Sequence, residues 1–333
     1  MAQSLWDEFL MTERLELGQV RMSKEDIVAF ASVFDPQPFH IDETAARSTV
    51  LGGLAASGWH TCAMVMNLLR EAANEQSLDL YAAGAEDIIW SRPVRPGDTL
   101  TCQVKWSQAP PCTCHWQSRS AIVEAIDQQG QMVIRWRLDC LFRPFEGDGN
   151  FSCGACVLLR ARPARASRRP VLHAIKQFDD ICPGDEISLG SYTFTEERVE
   201  TFARLVGLQN TYQIQVPRLP QAIASNVHPL HVTAAWMQCM VGYYEQEAAH
   251  LRRLGDPVPM LGPAAGVKHL RWHRPVRPGE KIAFRGWAER KIEVATLRGW
   301  GMLIVGAEGH DAAGNAVVSF YPQMLLERRV RSN

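Results

Sequence analysis

The sequence predicts an α+β fold built twice in one chain, each copy a long central helix wrapped by a curved antiparallel sheet. Three observations predict it. RPVRPGD at Arg92–Asp98 returns as RPVRPGE at Arg274–Glu280, an offset of 274 − 92 = 182. LELGQVRMSKEDIVAFASVF from Leu15 matches ISLGSYTFTEERVETFARLV from Ile187 at an offset of 187 − 15 = 172, aligning Gly18 with Gly190 and Phe30 with Phe202. Two collinear matches indicate a duplicated domain of about 150 residues or more. Finally, SGWHTCAMVMNLLREAANEQ (57–76) is apolar nearly all round and charged only near its end, after which the pattern turns to alternating strands.

Each copy opens with a strand and a short helix, with Ser23 or Thr195 as the N-cap and acids in the first turn. Ile27, Phe30, Ala31 and Phe34 recur at helical spacing as one apolar face. Asp35-Pro36 stops that helix, because a residue before proline is pushed out of the α region. Asp42 caps the short segment ETAARS. TLTCQVKW, HWQSRSAIVEAI and VIRWRLDCLF read as strands, the last two joined by a hairpin turn at DQQGQM. KIAFRGWAER, GMLIVGAEGH and AVVSFYPQMLLER repeat the meander, with DAAGN as the turn. Pro96-Gly97 and Pro278-Gly279 suit type II turns. The Gly-, Pro-, Ser- and Arg-rich stretch after Glu146 marks a linker, which gives domains at 1–146 and 171–333 joined by 147–170.

Bulk properties describe an ordinary globular protein: 46% hydrophobic residues, 21% charged and a formal net charge of −1. That balance gives no pull toward nucleic acid or an anionic membrane. The N-terminus lacks a basic region before its apolar run, and no run approaches the roughly 18 residues of a membrane span. The expectation is a cytoplasmic chain whose nine cysteines are reduced thiols. Cys112/Cys114 and Cys153/Cys156 lack the partner pair and spacing of a zinc site, and CGAC sits in a connector rather than at a redox strand–helix junction. The glycines of GMLIVGAEG precede a hairpin, not a helix, which argues against a dinucleotide loop.

The stretch from Phe30 to Thr61 carries the chemistry. Asp35 and His40 stand five positions apart on a loop stiffened by Pro36 and Pro38, and they read as an acid/base pair. Their bland alternatives are an Asp-Pro turn and a hydrogen-bonded buried histidine. Ser57-Gly58 opens the buried helix, where free N–H groups and the dipole suit a developing oxyanion. The Gly58 N–H is the candidate donor, and the bland alternative for Ser57, a simple helix cap, is compatible with a role in the site. His60 reads as packed or capping.

With Asp35-x4-His40 in DPQPFHID, the small-residue approach GGLAASGWHT and the strand entry RPVRPGD, the chain resembles the MaoC-like, (R)-specific enoyl-CoA hydratase family. The resemblance is clear over 15–145 and weaker over 171–328, which implies a double hot dog in one chain. It departs from the family where Phe34 and Gln37 replace a frequent Gly and Asn. The resemblance implies an enzyme, a hydro-lyase that adds water to, or removes it from, a 2-enoyl thioester of coenzyme A or an acyl carrier protein. Addition would be syn, giving the (R)-3-hydroxyacyl thioester, with Asp35 and His40 acting on one water and no metal or redox cofactor required. Arg92, Arg95, Arg274 and Arg277, and more weakly Lys268, are candidates by position for the phosphates of coenzyme A. An acyl-CoA thioesterase and a non-catalytic acyl-CoA-binding protein are the alternatives, since fold does not fix function.

The second copy reads as degenerate. The 172 offset sets Gly207 opposite Asp35 and Tyr212 opposite His40, and matching Ser225 to Ser57 makes the arm four residues shorter. His228 and His231 lie just beyond without an acid at the dyad spacing. The expectation is one active site per chain, in the N-terminal half. The C-terminal half would be its intrachain pseudo-dimer partner and would line the acyl channel. Whether whole chains associate further stays open.

Overall fold

In the computed structural model the described residues are 14–75, 78–107, 117–144, 169–170, 176–207 and 227–329. Both cysteine pairs weighed for zinc lie outside them, as do Tyr212, Ser225 and nearly all of the expected linker. The first copy supplies β1 (Leu15–Arg21), the helices α1 (Lys24–Phe34), α2 (Pro38–Ile41), α3 (Glu43–Arg47) and α4 (Gly58–Glu75), then β2 (Leu78–Trp90), β3 (Thr99–Trp106), β4 (Gln117–Ile126) and β5 (Met132–Pro144). A two-residue β6 (Arg169–Pro170) runs parallel to β7 (Asp185–Thr193). The second copy continues with α5 (Glu196–Leu205), α6 (Pro229–Leu254), β8 (Leu261–Trp272), β9 (Lys281–Glu293), β10 (Trp300–His310) and β11 (Ala316–Glu327).

Local signals act as expected. The Ser23 and Thr195 hydroxyls accept from the Asp26 and Arg198 N–H groups, and the Asp42 carboxylate takes the Thr44 and Ala45 N–H groups of α3. Ile27, Phe30, Ala31 and Phe34 are all buried. Gly97 and Gly279 take φ of +89° and +88°, the left-handed conformation a type II turn needs at that position. The same turn docks identically in both halves. Met22 N–H donates to Asp98 O and Gly97 N–H to Met22 O, just as Phe194 pairs with Glu280 and Gly279.

Ten long strands and β6 form one continuous sheet in the order β1-β3-β4-β5-β2-β8-β11-β10-β9-β7-β6. The long strands pair antiparallel, and α4 and α6 are buried along most of their N-terminal turns. This is the α+β double hot dog. The halves meet at β2 and β8, two strands the sequence pattern does not announce, because AAGAED and GPAAG are poor in β-branched residues. Their composition follows from the join. A Cβ on Gly84 would stand 2.5 Å from the Leu270 carbonyl oxygen, and one on Gly266 would strike the Ile88 carbonyl. The two glycines are related by the 182 offset of the repeat, so a local two-fold axis passes between the strands. A single hydrophobic core then runs through both halves, from Ile27 and Leu69 to Trp236 and Phe320.

Candidate active site

Asp35 terminates α1 with its N–H still donating to Ala31 O, which aims the side chain inward. The chain then turns straight into α2, with Pro38 at its first position, so His40 comes back beside Asp35. The loop expected between the two is therefore one helical turn. Asp35 is 2% exposed and His40 6%. His40 Nε2 lies 3.4 Å from Asp35 Oδ2.

Each member of the pair is held from behind. Ser57 donates its hydroxyl to Asp35 Oδ2 at 2.7 Å, and the Gln37 side-chain amide donates to Oδ1 at 2.7 Å. A buried carboxylate so supplied stays oriented despite its desolvation. His40 Nδ1 stands 2.7 Å from the Ala55 carbonyl oxygen, which can only accept. In the neutral ring Nδ1 is therefore the protonated nitrogen, and Nε2 presents its lone pair on the side of Asp35. Ala55 closes the clamp by donating its own N–H to Phe39 O.

These contacts revise several expectations. Ser57 stands directly before α4, its carbonyl accepting the Thr61 N–H, and its hydroxyl proton is given to the Asp35 carboxylate. Gly58 is needed for packing as well as approach, since a Cβ there would stand 2.5 Å from the Trp90 ring. Its N–H has no acceptor among the described residues and opens the first turn of α4. His60 turns away from the site and stacks on Phe30 at 4.6 Å and 7°.

The four arginines separate into different roles. Arg95 gives its guanidinium to the carbonyls of Gly53 at 2.6 Å, Leu54 at 3.0 Å and Leu51, so it fastens the arm behind the dyad. Arg274 is bound by Glu280 at 2.6 Å and Asp311 at 3.0 Å. The Glu280 hydrogen bond leads in holding its proton more tightly than usual. Arg277 is exposed away from the cavity, and Lys268 lies 3.4 Å from Asp87 across the β2–β8 join. Arg92 alone stands exposed on the rim of the cavity that holds the dyad, with no acidic partner among the described residues.

That cavity has a volume of about 240 Å³ and reaches from Asp35 and His40 to Gly58 and Trp90. The second copy supplies part of its wall through Met237, Pro263 and Leu325. In the second copy itself, α6 starts at Pro229 where α4 starts at Gly58, an offset of 229 − 58 = 171. The arm is thus one residue shorter than its counterpart, not four, and His228 stands where Ser57 does. The stacked pairs agree, His231 lying on Phe202 at 4.6 Å and 6° as His60 lies on Phe30. Gly207 occupies the Asp35 position and brings no carboxylate. Among the described residues no group of three or more His, Cys, Asp or Glu side chains is placed to hold a metal ion. None of the described helices is long and apolar enough to cross a membrane.

A family model described as "MaoC like domain" matches residues 11–112, the segment that contains Asp35, His40, Ser57 and Gly58. Over 137 residues the chain is 32% identical to the uncharacterized protein YdeM of Bacillus subtilis (strain 168), which spans 41% of this chain and 97% of the relative. In solved structures, a protein of Chloroflexus aurantiacus J-10-fl assigned to the MaoC domain dehydratases superposes with a TM-score of 0.68. It is 14% identical, with 95% of each chain covered. A Mycobacterium tuberculosis protein described as having a double hotdog fold gives a TM-score of 0.62 at 13% identity, covering 94% of this chain and 95% of that one. The last two likenesses are of fold.

Proposed function

Because this chain belongs to the MaoC-like dehydratase family, we propose that it is an (R)-specific enoyl-CoA hydratase, or the reverse 3-hydroxyacyl-CoA dehydratase, with one active site in its N-terminal half. The observation that carries the reading is the buried Asp35–His40 pair, with an open imidazole lone pair, beside the first turn of a long helix. Such a pair can hold one water between Asp35 Oδ2 and His40 Nε2. His40 Nε2 takes a proton from that water as its oxygen bonds to C3 of the enoyl group. The negative charge that moves onto the thioester oxygen is met by the Gly58 N–H and the positive end of α4. The proton on the Asp–His pair is then delivered to C2 from the same face, so the atoms of one water are added syn. The reaction as written consumes only water and the thioester, with no cofactor. Coenzyme A as carrier and a cytoplasmic setting belong to the same reading.

Loss of enoyl-thioester absorbance over short, long, branched and aromatic enoyl-CoAs tests it. Wild type should turn over at least one member, and His40→Ala should lower that kcat by about 100-fold or more. No dyad-dependent turnover across the panel, or release of free thiol instead of hydration, would sink the proposal.

Arg92 supports a phosphate-bearing carrier, since it is a cation at the cavity mouth with no acid beside it. Arg92→Glu should raise KM for coenzyme A thioesters about tenfold at low ionic strength and less at 0.5 M salt, with kcat within about twofold. An unchanged KM at low salt would remove Arg92 from the binding site.

A further inference from the structure

Arg95 does not line the cavity that holds the dyad, yet its guanidinium is bound to the strip of backbone that leads to His40. It donates to three carbonyls of one arm: Leu51, Gly53 at 2.6 Å and Leu54 at 3.0 Å. No other donor among the described residues reaches those oxygens. The arm needs such a hold, because LGGLAAS (51–57) has no regular structure and its two glycines bring no side chain to pack. Arg95 is itself fixed. Its N–H donates to Asp98 Oδ2 at 2.7 Å, and Asp98 Oδ1 accepts from the Gln128 side-chain amide at 2.9 Å. Beyond Arg95 two successive peptides are held at both ends. The Leu54 oxygen is taken by Arg95 and the Ala55 N–H by Phe39 O at 3.0 Å. The Ala55 oxygen then faces His40 Nδ1 at 2.7 Å, and the Ala56 N–H donates to Val94 O at 2.9 Å. Peptide units are planar, so only the two torsions of Ala55 separate the hold of the guanidinium from the acceptor that fixes the imidazole.

Resting on the hydratase reading above, we propose that Arg95 is a positioning residue for His40. It holds the 51–54 arm so that the Ala55 carbonyl keeps the imidazole proton on Nδ1 and leaves Nε2 free to act as the base. An imidazole without such an acceptor exchanges its proton between the two nitrogens. A proton on Nε2 would face Asp35 Oδ2, 3.4 Å away, and the lone pair that takes a proton from water would be lost. Positive charge alone does not supply this hold. The planar guanidinium fork meets three oxygens in fixed directions, which the single ammonium of a lysine does not reproduce.

Nitrogen-15 spectra of the histidine-labelled full chain read the tautomer, with the His40 signals assigned by their loss in His40→Ala. At about pH 8 wild-type His40 should show a protonated Nδ1 and a bare Nε2. Arg95→Met keeps the stem and removes every donor. Its His40 proton should be shared between the two nitrogens, with kcat for enoyl-thioester hydration lowered about 30-fold and KM within about twofold. Arg95→Lys should fall between wild type and Arg95→Met in both readouts, and it carries the comparison if Arg95→Met does not fold. The spectra need no substrate, so a chain that hydrates no enoyl thioester would sink the hydratase reading and leave the tautomer test standing. A wild-type His40 protonated on Nε2 would overturn the assignment. So would variants in which His40 keeps its proton on Nδ1, whatever their activity or melting temperature, or a shared proton at unchanged kcat. Failure of both variants to fold would make Arg95 a residue of the fold alone and overturn it too.

Discussion

Asp35→Asn should lower kcat for enoyl-thioester hydration by about 10³- to 10⁴-fold, roughly 4–5.5 kcal/mol of transition-state stabilisation, with the melting temperature changed by only a few degrees. The asymmetry follows from the hydrogen bonds. Asparagine keeps an oxygen for the Gln37 amide, which now reaches Asp35 Oδ1 at 2.7 Å. On the other branch an NH2 replaces the oxygen that Ser57 donates to, and the Ser57 hydroxyl can turn and accept instead. Packing is therefore nearly conserved and the fold has little reason to soften. The chemistry suffers twice. The negative charge that would stabilise a protonated His40 is gone. The new NH2 also stands where Asp35 Oδ2 lies 3.4 Å from His40 Nε2, and there it donates to the lone pair the reaction needs. A variant that keeps more than a tenth of wild-type kcat would show that Asp35 takes no part in proton transfer. A variant that fails to fold would show that the carboxylate is structural.

Much of this site is legible in the letters, and what is not has a physical reason. Asp35 and His40 are readable because the Asp-Pro stop, Pro38 and the five-residue spacing are local, and local geometry is what a short motif encodes. Ser57 was visible as a site residue, but not its target 22 positions away. Gln37 looked like a departure from a familiar pattern and is in place as the second donor to the carboxylate. The Ala55 carbonyl, which sets the His40 tautomer, has no letter at all, because every residue carries the same backbone group. The arginines were indistinguishable in sequence for a similar reason. RPVRPG occurs twice, yet Arg95 is consumed by carbonyls of the 51–54 arm, Arg274 by Glu280 and Asp311, and only Arg92 is left at the cavity. Strands β2 and β8 were hidden because a join between two sheets selects glycine for close backbone approach, which lowers the very propensity by which strands are recognised.

The duplicated core leads to the second large effect, a loss of stability on mild acidification. His60, His228 and His231 are buried near the starts of the two central helices. Desolvation holds each below its ordinary value: His60 at about 4 despite the opposing pull of Asp26, His231 at about 3 with Arg198 adding to the effect, and His228 well below. The folded protein keeps these rings neutral while the unfolded chain protonates them near 6.5. Below that pH the unfolded state therefore binds more protons, and stability falls as pH falls. At pH 5 each ring contributes a loss of about 2 kcal/mol, so the three together take about 6 kcal/mol from a domain-scale stability of about 5–15 kcal/mol. Carboxylates held low by ion pairs, such as Asp87 beside Arg137 and Lys268, add their loss only near and below pH 4, which separates the two causes. Denaturant titrations at pH 7, 6 and 5 should give an unfolding free energy that drops with a limiting slope of about three protons from these rings, to which His273, also held below its ordinary value by burial, adds. His60→Phe keeps a ring on Phe30 and removes two buried nitrogens that have no hydrogen-bond partner. It should reduce that slope by about one proton and raise stability at pH 5 relative to wild type. A free energy that stays flat between pH 7 and pH 5 would mean that these rings titrate alike in both states, and that the helix starts are wetter than their burial implies.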